Sequence, residues 1–235
     1  YFNNLESIFI DEDKKTIHLN QKDALDKILI SGKEIKNWKI KFQGKNNFKD
    51  LNVNNNNLTG CVTLYEINII NIEIETTGGL CEDTINIVRS KGKIQQINTN
   101  KSYSDAVDID FSNLIIDHIN INESQNDCLD LSSGNYLIKN LYTKNCLDKG
   151  LSIGEKSSTK VINYYPSNNF LDFAVKDSSE VDINIYELTG TEYCYASYRK
   201  KEEFGPSKLK INKVNCYDSK IFSQSDSYIV VDNDN

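Results

Sequence analysis

The stretch DAVDIDFSN, residues 105–113, decides the fold, because its apolar residues alternate with acidic ones. On a β-strand, successive side chains point to opposite faces. Val107, Ile109 and Phe111 are therefore expected on one face, and Asp108 and Asp110 on the other. Two like charges side by side repel each other, so the presence of both carboxylates on one face of the strand needs a reason.

The apolar positions of this stretch recur along the chain with a regular period of 22. Steps of this length from Val107 and from Ile109 reach apolar or aromatic residues over most of the chain. A second pair of columns, beginning at Ile94 and Ile97, runs in step with the first and gains one residue between 155 and 160. The first column contains Ile85, Leu129, Leu151, Phe173 and Tyr195, and after the insertion the second pair continues through Val161, Tyr164, Ile183 and Tyr186.

A period of 22 with strand alternation inside each unit indicates a parallel β-solenoid. Helical repeats would show a period of 3.6 inside longer units, and the spacing of leucine-rich repeats is absent. In a β-solenoid each turn stacks on the previous one at about 4.8 Å, so that like residues form ladders. We therefore predict an all-β protein in which residues 36–235 form about ten such turns.

The first 35 residues are predicted to cap the open end of the solenoid, because an uncovered end would expose edge strands. Within this cap, NQKDALDKILI (residues 20–30) has the apolar spacing of a short amphipathic helix with Asn20 as its N-cap. No linker interrupts the pattern, so residues 1–235 are predicted to form a single β-helix domain.

The composition excludes several functional classes. The formal net charge is −7 and the pI is about 5.0, which argues against nucleic acid as a partner. No apolar run approaches the roughly 18 residues of a membrane span. The chain begins at Tyr1 and contains no Met, so we expect a piece of a longer polypeptide that carries further domains.

The cysteines and histidines give little indication of a reactive site. The six cysteines form no CxxC pair and no cluster with histidine, so zinc is not expected. His18 and His118 are far apart in sequence and support no nucleophile–histidine pair. Bridges between adjacent turns would need cysteines about one turn apart, which Cys61 with Cys81 and Cys194 with Cys216 approach. The loop at 202–207 breaks the register of the second pair, and we expect mostly free cysteines, buried or stacked in turns.

Two outward columns of the same period form a strip along one sheet, named the strip below. Its acidic end holds Asp108, Asp110 and Asp130 about 5 to 7 Å apart, a spacing that raises at least one pKa unless a cation is bound. Small residues beyond them are expected to leave an open floor before the basic, aromatic end at Lys176 and Tyr198. The columns are Asn86, Asp108, Asp130, Ser152, Ala174, Ala196 and Val88, Asp110, Ser132, Gly154, Lys176, Tyr198; Glu155, Lys156, Asp177, Lys200 and Lys201 flank them.

Structural roles for these residues stay open beside the functional ones. Asp105 and Asp127, one turn apart and just before the strands, are interpreted as turn residues that bond backbone amides. The carboxylates of the strip also suit a solvated polar face, and an exposed lysine protects a β-surface from edge pairing.

Four segments resemble turns of the bacterial right-handed parallel β-helix repeat proteins, in the wide pectate-lyase-like superfamily. More closely, they are similar to β-helix regions of surface or secreted proteins, some of them associated with spore-coat-H-type kinase domains. The resemblance implies a right-handed β-helix and an extracellular or cell-surface location. The segments are NDCLDLSSG (126–134), LDKGLSIGEKS (147–157), FAVKDSS (173–179) and YASYRKKEEFGP (195–206).

For members that process uronic-acid polymers, the resemblance implies roles for the strip. Asp108, Asp110 and Asp130 would hold calcium, and Asp110 would also act as an acid. Lys176 would neutralise the sugar carboxylate or abstract the C5 proton, and Tyr198 would donate or accept a proton. The flanking Glu155, Lys156, Asp177 and Lys200 would bind substrate.

Two functions from different classes remain open. The first is a module that binds or acts on an extended acidic polysaccharide, as a lyase or C5-epimerase. The second is a non-catalytic structural or partner-binding solenoid within a larger surface protein. The mixed acid–base strip favours the first. The second is favoured because Arg89 and Arg199 lie outside the strip columns, which leaves the arginine base of pectate lyases without a counterpart.

Overall fold

The computed structural model describes residues 7–23, 26–45, 58–185, 187–212, 215–216 and 219–232. Strands make up 67% of the structure, and the described residues contain no α-helix. Apart from Ile8–Asp11, which pairs antiparallel with Thr16–Asn20, the strands stack in parallel into a solenoid of about nine turns with a spacing of about 22 residues, which confirms the predicted fold class. Among the described residues, no helix is long and apolar enough to cross a membrane.

Each turn contributes strands to two sheets. The first eleven strands are β1 (Ile8–Asp11), β2 (Thr16–Asn20), β3 (Ile28–Ser31), β4 (Glu34–Lys36), β5 (Lys39–Gln43), β6 (Gly60–Tyr65), β7 (Asn68–Thr77), β8 (Asp83–Val88), β9 (Lys91–Ser102), β10 (Asp105–Asp110) and β11 (Asn113–Ser124). The others are β12 (Leu129–Ser132), β13 (Asn135–Cys146), β14 (Lys149–Gly154), β15 (Ser158–Ser167), β16 (Leu171–Lys176), β17 (Glu180–Ile185), β18 (Tyr193–Tyr198), β19 (Lys208–Asn212), β20 (Lys220–Ser223) and β21 (Tyr228–Asp232). The nine-stranded sheet contains β3, β6, β8, β10, β12, β14, β16, β18 and β20, and the remaining strands form the twelve-stranded sheet.

The predicted ladders form the core. Val107 in β10 pairs with Ile85 on one side and Leu129 on the other, and all three side chains are fully buried. Each such aliphatic side chain contributes about 1.5 to 3 kcal/mol on burial. Because every turn repeats these positions, apolar side chains of both sheets fill the inside of the solenoid continuously.

The inserted residue between 155 and 160 is confirmed, with one difference further along. Ile138 pairs with Val161, which lies one residue beyond the regular period, while Val161 pairs with Ile183 at the regular period. Tyr164 then pairs with Ile185 across a register shift, one residue short of the period. The predicted partner of Tyr164, Tyr186, lies outside the described residues. Ile185 takes its position in the ladder, because a β-bulge or similar irregularity shifts the pairing by one residue.

The prediction that Phe111 lies on the same face of its strand as Val107 and Ile109 is wrong. β10 ends at Asp110, and Phe111 adopts a left-handed conformation with φ 51°. This conformation turns the chain into the next sheet and points the ring outwards, where it is 54% exposed. The corresponding corners at Arg89, Ser133 and Glu155 also have positive φ, so the corner geometry recurs from turn to turn and ends the alternation.

The prediction of a short helix over residues 20–30 is also wrong. Asn20 is the last residue of β2, and Ile28 begins β3. Between them, the Asp26 carboxylate accepts backbone N–H bonds from Lys22 at 2.8 Å and Asp23 at 2.9 Å, forming a local loop. Such side-chain bonds to nearby backbone compete with helix formation. The predicted helix positions 24 and 25 lie outside the described residues.

The expectation of mostly free cysteines is wrong, because all six form disulfides. Cys61–Cys81 and Cys194–Cys216 each join a strand of the nine-stranded sheet to the segment that ends the same turn, with Cα–Cα distances of 5.5 and 6.0 Å. The pairing of Leu188 with Cys216 keeps the second of these pairs in register despite the loop at 202–207. Cys128–Cys146 is 18 residues apart and joins the two ends of a single turn, an arrangement that a search for cysteines one turn apart misses.

Candidate functional site

The strip lies on the outer face of the nine-stranded sheet, in the predicted register. Asp108 pairs with Asn86 on one side and Asp130 on the other, and Asp110 pairs with Ser132. The amide of Asn86 donates a hydrogen bond to Asp108 Oδ2 at 3.2 Å. The carboxylates of the opening stretch therefore lie next to one another across adjacent strands, as the repeat period predicts.

A second column of carboxylates, just before the strands, adds to this acidic end. Asp105 pairs with Asp83, and its Oδ1 accepts the backbone N–H of Asp127 at 2.8 Å. Asp127 Oδ1 in turn accepts the backbone N–H of Lys149 at 3.0 Å. These bonds confirm the interpretation of Asp105 and Asp127 as turn residues. The resulting group, named the carboxyl cluster below, contains Asp83, Asp105, Asp108, Asp110, Asp127 and Asp130.

Burial makes several members of the carboxyl cluster weak acids. Burial, followed by the charges of Asp83 and Asp110, raises the pKa of Asp108 to about 9. Burial also raises the pKa of Asp83 to about 7, and it raises that of Asp110, whose hydrogen bond with Asp108 acts in the opposite direction. The raised pKa of Asp108 favours its protonated form near neutral pH.

Lys149 is the cation next to the carboxyl cluster, and it was not among the site residues predicted from the sequence. Its Nζ lies 3.1 Å from Asp127 Oδ1 and also contacts Asp148. Burial raises the pKa of Asp127 to about 6 against the opposing charge of Lys149. Lys149 could have been found by one further step of the period, because it follows Asp83, Asp105 and Asp127 in the same column.

The prediction of an open floor in the middle of the strip is wrong. Ser152, Ala174 and Ala196 are all buried, with exposures of 0, 0 and 4%. Lys176 lies over Ser152 and is itself only 5% exposed, and its Nζ donates to Ser152 Oγ at 2.7 Å. The small side chains leave space, and larger neighbours fill it: Ala174 and Ala196 pack with Leu171, Tyr193 and Tyr198 in a small cluster outside the main core.

The residues predicted as catalytic are only partly brought together. Lys176 pairs with Tyr198 on the next strand, and burial raises the pKa of Tyr198. Asp110 lies in the same column but four strands away from Tyr198, roughly 19 Å at about 4.8 Å per strand. A single sugar ring could not contact both ends.

The flanking residues differ in how free they are to bind a ligand. Asp177 is buried, and its Oδ1 accepts the backbone N–H groups of Lys200 at 2.6 Å and Lys201 at 2.9 Å. Glu155 forms an ion pair with Lys201. Lys156 lies 5.7 Å from the ring centre of Phe204. The carboxylates thus hold the loop after β18, while the exposed side chains of Lys156 and Lys200 form a basic rim.

The structure gives little support for a metal at the acidic end. Within the part of the chain that the structure describes, no group of three or more His, Cys, Asp or Glu side chains is placed to hold a metal ion. Asp130 Oδ1 is buried without a hydrogen-bond partner, which is the one observation that suits a ligand there. Calcium at Asp108, Asp110 and Asp130 stays a prediction.

Comparison with known proteins found no matching family model, no matching curated protein and no matching solved structure. The likeness to the pectate-lyase-like superfamily therefore stays a prediction. The parallel β-solenoid itself rests on the strand pairing and register of this chain.

Proposed function

We propose that the solenoid binds an extended acidic polysaccharide along the strip and cleaves it by acid–base catalysis at its acidic end. The observation that carries this proposal is the placement of Asp108, Asp110 and Asp130 side by side on two adjacent strands, where burial raises the pKa of Asp108 to about 9. A carboxylic acid beside a carboxylate supplies both proton transfers that the hydrolysis of a glycosidic bond needs.

The reaction would proceed in one displacement, for which the bound sugar has to separate the two carboxyl groups to about 6.5 to 9.5 Å and admit a water molecule. Asp108 donates its proton to the glycosidic oxygen while the bond from this oxygen to C1 breaks. Asp110 accepts a proton from water as the water oxygen forms the new bond to C1. The products are two shorter chains, and the proton taken up by Asp110 replaces the one that Asp108 donated. These transfers need only side chains of the strip.

Cations further along the strip would hold the carboxylates of a uronic-acid chain. The Nζ of Lys176 lies over Ser152, which is the position next to Asp130 in the column. Lys149 keeps its proton, because the charges of Asp127 and Asp148 raise its pKa despite burial. The exposed Lys156 and Lys200 extend the positive charge to the rim. A polymer carrying one carboxylate per sugar would contact Lys156 and Lys200 directly, while the buried Lys176 and the ion-paired Lys149 would act through their charge.

Elimination or C5-epimerisation is a second candidate chemistry, favoured by the pairing of Lys176 with Tyr198 on adjacent strands. In elimination, a base removes the C5 proton, C4 and C5 form a double bond, and the C4–O bond breaks as the leaving oxygen takes a proton.

An extracellular or cell-surface location belongs to the same proposal. Three disulfides in 235 residues suit an oxidising compartment, where polysaccharides of this kind occur. Further domains of a longer polypeptide would then hold the solenoid at its substrate.

The test is incubation with polygalacturonate and with alginate, each in calcium and in chelator. Hydrolysis gives new reducing ends and no absorbance at about 230 nm. Elimination gives new reducing ends together with this absorbance, and epimerisation changes only the NMR spectrum. We expect reducing ends, and a loss of at least about 100-fold in rate for Asp108→Asn and for Asp110→Asn.

Asp226→Asn, a change in an exposed turn before β21, is the matched control and should keep full activity. Lys176→Ala should mainly weaken polymer binding. If neither polymer gives any product with the folded protein, catalysis is excluded and the second class, a non-catalytic binding or structural solenoid, takes its place. Its supporting observation is that Asp105, Asp127 and Asp177 all bond backbone amides.

A further inference from the structure

A polar groove crosses the twelve-stranded sheet, away from the strip. It consists of two adjoining cavities of about 610 and 290 Å³ that share Glu75 and Thr77 in their walls. The strand register aligns these cavities over six neighbouring strands, β2, β5, β7, β9, β11 and β13. Five strand spacings of about 4.8 Å give the groove a length of roughly 24 Å, enough for an extended chain molecule.

One wall of the groove is a column of neutral hydrogen-bonding side chains. Asn122 donates to Asn100 Oδ1 at 2.9 Å along this column. Asn122 also accepts a bond from Asn145 at 3.3 Å, but a primary amide has two N–H donors and two acceptor lone pairs, so one donor and one lone pair are left for a ligand. The column contains Asn20, Gln43, Thr77, Asn100 and Asn122, which the register places on successive strands.

The opposite wall combines amides with an aromatic ring. Asn120 donates to Asn98 Oδ1 at 3.0 Å. On the next strand, Tyr142 lines the groove and is 41% exposed, and its ring is stacked on Tyr165 with centroids 4.6 Å apart. The stack holds the Tyr142 ring in place at the end of the groove, where its apolar surface is available to a ligand.

The middle of the groove carries no net charge. Glu75, at the boundary of the two cavities, is neutralised by Lys39 at 2.5 Å and Lys41 at 3.7 Å. The residues that follow it toward Tyr142 in both walls are Asn98, Asn120, Asn100 and Asn122. The cations that line the groove are Lys41 beside Glu75 and Lys144 beside Tyr142, so a polyanion would find none over the amides between them.

A peptide is also disfavoured as the occupant, for a reason of topology. Peptides commonly bind a sheet by adding a strand at its edge. The strands under this groove are central, with both neighbours paired, so no backbone groups are available for strand addition. The ligand has to be recognised by side chains alone.

Amide side chains together with an aromatic ring suit a neutral sugar chain. Its hydroxyl groups exchange hydrogen bonds with the amides, and the C–H face of one pyranose packs on the Tyr142 ring. We infer that this groove is a second glycan site, which binds an uncharged polysaccharide and is independent of the strip. The solenoid would then bind an acidic chain on one sheet and a neutral chain on the other.

The test is isothermal titration calorimetry of the whole chain with cellohexaose, xylohexaose and mannohexaose, and with a hexagalacturonate for comparison. At least one neutral hexasaccharide should bind at millimolar concentration or better. Tyr142→Ala and Asn120→Ala should each weaken that binding by about tenfold. Both variants should keep the circular dichroism spectrum of the parent chain.

Asn135→Ala is the matched control, because Asn135 belongs to an amide ladder on the same sheet, with a bond to Asn113 at 2.6 Å, but lies outside this groove. It should leave binding unchanged, as should Lys176→Ala on the strip. Absence of binding by all three neutral sugars would overturn the proposal, and so would binding that Tyr142→Ala and Asn120→Ala leave intact or that Lys176→Ala abolishes.

Discussion

Asp108 lies at the centre of the carboxyl cluster, and its burial links the acidity of the cluster to the stability of the fold. Its pKa of about 9, like those of Asp83 at about 7 and Asp127 at about 6, is above the value of about 3.9 expected in an unfolded chain. Between these values the folded state binds more protons than the unfolded state. Stability therefore falls as the pH rises from about 4 through about 9.

Asp108→Asn removes this charge while keeping an oxygen that accepts the bond from Asn86. We expect the variant to be more stable than the parent chain at pH 9 by on the order of 1 kcal/mol or more, with a difference that vanishes near pH 4. Urea unfolding at several pH values measures this. For Asp226→Asn, at an exposed turn, the difference in unfolding free energy from the parent chain should stay constant with pH. If Asp108→Asn were less stable than the parent at pH 9, the buried-acid interpretation would be wrong.

Corners determine the path of the chain between strands, and Gly134 shows how closely they are packed. Buried serines stack at this corner in neighbouring turns, as in the bond from Ser90 N to Ser112 Oγ at 3.0 Å. At the Gly134 turn the hydroxyl of Tyr136 occupies that space, 3.0 Å from Ile109 O and 2.9 Å from Ser132 O, and its single O–H donates to one of these two carbonyls. A Cβ at Gly134 would lie 2.3 Å from the Tyr136 hydroxyl and from Ser112 O.

Gly134→Ala should therefore destabilise the protein by about 1 to 3 kcal/mol, the usual cost of overpacking. Gly154→Ala is the matched control, because its nearest contact would be an ordinary 3.5 Å to Lys176. Thermal unfolding of the two variants measures the difference. Equal melting temperatures would show that the corner relaxes around the added methyl group.

The strands could be predicted from the sequence because a ladder repeats its chemistry at every turn. Val107 and Ile109 are recognised by their counterparts one period away, and so are Asp108 and Asp130. Features that occur once have no such support. The Asp26 loop replaced a plausible helix, and Lys176 folded over the small residues that were expected to stay open.

At the scale of the whole molecule, each turn contacts mainly its neighbours, so stability propagates along the axis one turn at a time. The disulfides are spread along this axis: Cys61–Cys81 lies towards the first turns, Cys128–Cys146 in the middle and Cys194–Cys216 near the last turns. Loss of one bridge should therefore loosen the turns around it more than distant ones.

The pair Cys194→Ala with Cys216→Ala removes the last bridge, whose cysteines have a sequence separation of 22 and which is worth about 3 kcal/mol in the chain-entropy account. We expect amide hydrogen exchange to accelerate in β18 to β21 while β8 to β12 keep their protection, because the loosened turns open without unfolding the rest. The pair Cys61→Ala with Cys81→Ala is the control and should accelerate exchange at the opposite end. Uniform acceleration along the chain in both variants would instead show that the solenoid unfolds as a single cooperative unit.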